Sequence, residues 1–134
     1  MTTYVDSSAL LKRYVQEADS GVADRLLAVD PVLVTSWVTV IELRRNLARL
    51  VDPAHLPEVR RQCTADLDQF ALVGVDQVVC ETAAEIGEQF LVRTLDAVHL
   101  ACARRLQVPG LAFLTFDLRQ AQAARQLGFT VLGA

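Results

Sequence analysis

Apolar positions along the chain follow two rhythms. Short apolar runs at Met1 to Val5, Val32 to Val34, Phe70 to Val73, Leu111 to Phe116 and Thr130 to Leu132 read as strands. Between them, apolar residues recur at helical spacing. After Asp6, with Ser7 or Ser8 as cap, a helix runs through Ala9, Leu10, Leu11 and Tyr14, and Asp19 with Ser20 offers the start of a second that buries Val22, Leu26 and Leu27. Pro31 closes that segment. Ser36 opens a helix with the stripe Val40, Leu43, Leu47 and Leu50, punctuated by Asp52 and Pro53, and a further helix is expected from Pro57 to Leu67. Asp76 caps one from Val78 to Phe90, Thr94 begins one reaching Leu106, and after the Pro109 and Gly110 break Asp117 starts the last, ending at Leu127 before Gly128. Strands alternating with helices from end to end predict a three-layer α/β/α sandwich around a mainly parallel sheet, a single domain over residues 1–134.

Composition narrows the function classes. With 134 residues, 52% of them hydrophobic, the chain can bury a core without a disulfide or structural metal, so a metal here would serve chemistry. The longest charge-free stretches, Pro31 to Ile41 and Leu106 to Phe116, have 11 residues each. A membrane-spanning helix needs roughly 18 to 20. No secretory signal pattern is evident at the start, and a cytoplasmic protein is expected. Cys63, Cys80 and Cys102 stand apart without a CxxC pair and read as reduced, buried packing residues. The formal charge of −3 argues against nucleic-acid binding by bulk charge, although all but one of the 13 basic residues are arginine, whose planar fork suits phosphate.

Four acids stand out against apolar surroundings. Asp6 and Asp117 each end a strand and precede a helix, and ligand sites of open α/β sheets lie outside the carboxyl ends of the strands. Asp96 opens a helix in an otherwise apolar segment, and Glu42 lies one residue from a buried stripe. Taken singly, the aspartates read as helix caps and Glu42 as a partner of Arg45 or Asn46. Taken together they are costly, because clustered carboxylates repel unless a cation intervenes, and hard oxygen ligands suit Mg²⁺ or Mn²⁺.

The segments Tyr4-Val5-Asp6-Ser7-Ser8-Ala9-Leu10, Ile41-Glu42-Leu43-Arg44-Arg45, Arg93-Thr94-Leu95-Asp96-Ala97-Val98-His99-Leu100-Ala101 and Leu114-Thr115-Phe116-Asp117 carry a resemblance. In order, spacing and total length they resemble the four acidic motifs of PIN-domain ribonucleases, particularly the VapC toxins of bacterial toxin-antitoxin pairs. The resemblance implies that Asp6, Glu42, Asp96 and Asp117 bind Mg²⁺ or Mn²⁺, that Ser8 or Thr115 supports them by hydrogen bonding, and that the substrate is RNA, with transfer RNA a candidate. It implies hydrolysis by metal-activated water, leaving 5′-phosphate and 3′-hydroxyl ends. It also implies a homodimer and a VapB-like antitoxin that covers the acidic groove. Where some relatives carry a further acid, this chain has His99 near the third motif and Leu118, Arg119 and Gln120 after the fourth, so one cation or two fit the pattern.

Beyond the acids, Arg45 and Arg49 follow Glu42 on roughly one helical face and Arg93 precedes Asp96 by a turn, which makes them candidates to meet RNA phosphates; Lys12 and Arg13 are weaker ones. His99 reads as a helix residue packed near the site rather than a metal ligand, Trp37 as core or dimer interface, His55 as surface, and Glu81, Glu85 and Glu88 as a solvated face. An alternative keeps the fold as an RNA- or partner-binding module without cleavage. A phosphatase-like use of Asp6 as nucleophile is opposed by Ser8, where an acid is wanted, and by Lys12 being the sole lysine.

Overall fold

The structure, a computed structural model, describes Met1 to Ala134. Its strands are β1 (Thr2–Val5), β2 (Val32–Ser36), β3 (Ala71–Val73), β4 (Ala112–Thr115) and β5 (Thr130–Gly133), joined in one sheet of order β3-β2-β1-β4-β5. Every pairing is parallel, as the alternation with helices predicted. The helices are α1 (Ser7–Leu11), α2 (Ser20–Leu27), α3 (Trp37–Leu50), α4 (Leu56–Leu67), α5 (Gln77–Phe90), α6 (Thr94–Arg105) and α7 (Leu118–Gln126).

Side chains alternate across a strand, so neighbours on β1 and β4 serve opposite layers. Tyr4 and Phe113 pack with Val79 and Ile86 of α5, Leu100 of α6 and Ala123 and Ala124 of α7. Their rings stack at 5.3 Å between centroids, and Phe129 continues the stack at 5.8 Å from Phe113. Val5 and Leu114 face the other layer, against Leu10, Leu43, Leu47 and Leu67 from α1, α3 and α4. Both central strands are thereby buried on both faces, which matches the apolar run of β4 and of the Tyr4-Val5 end of β1. Gly133 closes the outer edge at φ +100°, where a β-carbon would collide with the carbonyl of Thr115.

Some sequence expectations shift. Asp6 rather than Ser7 or Ser8 is the cap of α1, because its carboxylate reaches back to the amides of Ser8 and Ala9. Ser36 stands at the cap of α3 without a side-chain bond to the helix. In α2, Ala23 and Leu27 are buried while Val22 faces outward, and Leu50 lies past the end of the buried stripe of α3. Trp37 is 54% exposed and so is not core, since the first turn of α3 directs Val38 and Thr39 inward and Trp37 to the opposite face. Cys63 and Cys102 are buried thiols, whereas Cys80 sits on the outer face of α5. No helix is long and apolar enough to cross a membrane.

Candidate active site at the carboxyl edge of the sheet

From β1 the chain builds β2 and β3 to one side, and then returns β4 to the other side of β1. That reversal lies between β1 and β4, and the connections leaving their carboxyl ends diverge there to open a crevice. Asp6 follows β1 directly and Asp117 follows β4 after Phe116, and the Asp6 amide donates to the Leu114 carbonyl at 3.1 Å.

Asp6 is held by neutral donors. Its Oδ1 accepts from the Ser8 amide at 3.0 Å and the Ser8 hydroxyl at 2.5 Å, and Oδ2 accepts from the Thr115 hydroxyl at 2.5 Å. Thr115 Oγ1 in turn accepts from the Asp117 amide at 3.1 Å, and Ser8 Oγ from the Phe116 amide at 3.0 Å, so two hydroxyls tie both strand ends together. Ser8 and Thr115, of which the sequence expected one or the other to support the acids, both donate a hydroxyl to Asp6. Burial pushes the Asp6 carboxyl above its ordinary value, opposed by the charge of His99 and by the hydrogen bonds from Ser8, Thr115 and Ala9.

Asp117 and Asp96 are held differently. Asp117 caps α7 through Oδ1, which accepts from the Gln120 amide at 3.0 Å, while Asp96 lies in the first turn of α6 behind the cap residue Arg93. The Arg93 guanidinium donates to Asp96 Oδ2 at 2.9 Å and to Asp117 Oδ2 at 3.0 Å, bridging the third and fourth motifs. A left-handed turn at Leu91, φ 54°, ends α5 two residues ahead of Arg93. Gln120 adds a second tie, donating from its side chain to the Asp96 carbonyl at 3.2 Å.

Glu42 takes neither Arg45 nor Asn46. Its Oε1 meets His99 Nε2 at 2.6 Å, and His99 Nδ1 lies 2.9 Å from the Tyr4 hydroxyl. A carboxylate only accepts, so Nε2 carries a proton, while Nδ1 and the Tyr4 hydroxyl share the second hydrogen bond. Burial keeps that phenol protonated by pushing its pKa well up. His99, with a side chain only 3% exposed, is thus a buried link between the centre of β1 and the acid of α3.

The arginines expected at the site divide. Arg93 is at its centre, whereas Arg45 and Arg49 bond to Asn46 on exposed surface of α3 and make no contact with the acids. Lys12 is occupied by Glu17 at 2.7 Å and Asp19 at 2.8 Å, and Arg13 by Asp24 and Asp66. His55 is exposed, as expected.

As the side chains stand, no three acids, histidines or cysteines form a closed metal shell, Arg93 being inserted between Asp96 and Asp117. The donor set nonetheless fits a hard divalent cation. Mg²⁺ is bound by one or two carboxylates together with waters and substrate phosphate. A buried carboxylate whose hydrogen-bond donors are all neutral, such as Asp6, gains from such a charge.

A parallel sheet of this order with aspartates at the switch point is the architecture of the PIN domain, and the sequence profile of that family matches residues 3–126. Ribonuclease VapC46 of Mycobacterium tuberculosis is 36% identical over 129 residues, covering 96% of this chain and 95% of that protein. Ribonuclease VapC47 of the same species is 31% identical, covering 94% and 92%. Among solved structures, FitAcB of Neisseria gonorrhoeae superposes with a TM-score of 0.78 at 19% identity, covering 98% of this chain and 96% of that one. Mycobacterium tuberculosis VapC20, described as a sarcin-ricin loop cleaving toxin, gives 0.71 at 19%, covering 96% of each. The chain belongs to the PIN-domain family, in its VapC-type ribonuclease branch.

Proposed function

We propose that the protein is a metal-dependent endoribonuclease, the toxin of a VapBC-like pair, and that Asp6, Glu42, Asp96 and Asp117 hold Mg²⁺ or Mn²⁺. The observation that supports this most is the delivery of Asp6 and Asp117 to the β1/β4 switch point, with Asp96 linked to Asp117 through Arg93. When bound, a divalent cation supplies a lowered pKa for an attacking water and neutralises charge on the leaving oxygen. The chain's own share is positioning. Ser8 and Thr115 fix the orientation of Asp6, and His99, braced by Tyr4, fixes that of Glu42. Arg93 carries a guanidinium that is 66% exposed and can turn from the carboxylates to a phosphate.

The partners follow from the same reading. An antitoxin segment bearing an arginine suits the groove, because Arg93 already shows that a guanidinium fits between two of its carboxylates. We carry a homodimer with it, Trp37 and Ile41 forming an exposed apolar pair one turn apart on α3. Purified protein incubated with small RNA should cut it only with Mg²⁺ or Mn²⁺, and an identically prepared Asp96→Asn variant should not. Equal cleavage by both preparations would contradict the assignment.

A further inference from the structure

Two cavities flank the Arg93 bridge. The first, about 240 Å³, is bordered by Phe90, Arg93, Asp96, Arg119, Gln122 and Gln126. The second, about 400 Å³, is bordered by Arg93, Phe116, Asp117, Leu118 and Arg119. Each therefore contains one carboxylate of the Arg93 pair, and both share Arg93 and Arg119. A phosphate seated at this divide would place its two flanking nucleosides in different cavities.

The first cavity has the chemistry of a base subsite. It is smaller than the roughly 300 to 1,000 Å³ that holds a drug-sized ligand, and so suits one planar ring system. Phe90 supplies an apolar wall. Arg119, Gln122 and Gln126 follow at three- and four-residue spacing along one face of α7. Side-chain bonds around α7 run through Asp117, Gln120 and Arg125, which leaves those three side chains free. A carboxamide carries both a donor and an acceptor, as a nucleobase edge does, and RNA is read in sequence chiefly where bases are unpaired and splayed out. Neither amide is needed for the fold or for holding a cation.

Resting on the ribonuclease reading, we propose that this cavity receives an unpaired nucleobase next to the phosphate at Asp96 and Arg93. Gln122 and Gln126 read its edge, and Arg119 holds the adjoining backbone. The protein would then select single-stranded RNA by the identity of one base beside the cut.

Labelled short single-stranded RNAs, one for each base, can be titrated into the full chain with metal chelated, so that binding is read without cleavage. The wild type should prefer one or two of the four. A Gln122→Ala/Gln126→Ala double variant should lose about tenfold on the preferred RNAs and about twofold or less on the others, flattening the preference. Arg119→Ala should weaken all four alike. Unchanged melting temperature and Mn²⁺ affinity in the double variant would confine its effect to recognition. Equal binding of all four by the wild type, or a preference surviving in the double variant, would overturn the subsite. If the wild type still cuts RNA with Mn²⁺ and Asp96→Asn does not, that failure leaves the nuclease assignment standing; absence of both binding and metal-dependent cutting removes both.

Discussion

Asp6 and Asp117 occupy comparable places, each just past the carboxyl end of a central parallel strand and each the cap of the next helix, yet they are held by opposite means. Asp6 is only 4% exposed and rests on two hydroxyls and backbone amides, with no cationic side chain bonded to it. Asp117, with Asp96, lies nearer solvent and shares an arginine. The buried half is geometrically locked and electrostatically unfinished. The outer half is neutralised by a side chain free to leave. Under the proposed metal-site reading, the buried acid would be the fixed ligand and the outer pair the adjustable one.

The strongest challenge to that contrast is Asp6→Asn, which preserves shape and removes the charge. RNA cleavage should fall about a thousandfold or more, roughly 4 kcal/mol in the barrier, with the fold retained by circular dichroism. Retained activity would show that the locked half does no chemistry. Thr115→Val should come next, because it leaves Asp6 Oδ2 buried without its donor and also frees the Asp117 amide. A loss of about 2 to 3 kcal/mol in urea unfolding is expected. Arg93→Ala, by contrast, should alter stability by about 0.5 kcal/mol or less, its ion pairs being exposed to solvent. A loss as large as that of Thr115→Val would erase the distinction between the halves.

The smallest effect concerns burial away from the acids. Burial raises the Cys102 thiol from an ordinary 9.0 to about 11, so as pH climbs through that interval the unfolded chain releases its proton first and stability falls. Below it there is no contribution from this group. A thiol reagent applied near neutral pH should accordingly modify Cys80 quickly, and Cys63 and Cys102 only after unfolding. Three fast thiols would mean that the central layers open far more readily than their packing implies.

The fold was legible where local signals agreed with tertiary packing. The apolar run before Asp117, the Asp76 cap and the breaks at Pro31, Pro53 and Gly110 all mark boundaries that chemistry enforces close by. Asp6 and Asp117 announced a shared site because a parallel sheet sends the ends of successive strands to the same edge. What stayed hidden depends on contacts distant in sequence. No local pattern pairs Glu42 with His99 rather than Arg45, since helical spacing offers the nearer arginine and only the docking of α6 on β1 and α3 brings the imidazole to it. Arg45 and Arg49 were drawn toward the site by the same spacing, although the outer face of α3 carries them away from the acids. Val22 and Cys80 show the cost of reading burial from residue type alone.

Mn²⁺ binding followed by calorimetry, in the wild-type chain and in Asp6→Asn, Glu42→Gln, Asp96→Asn and Asp117→Asn, bears most directly on the claim that these acids form one metal site. All four substitutions should weaken the same binding event, each by about tenfold or more, as loss of a ligand charge requires. Undiminished Mn²⁺ affinity in all four variants, or no binding by the wild type, would contradict it.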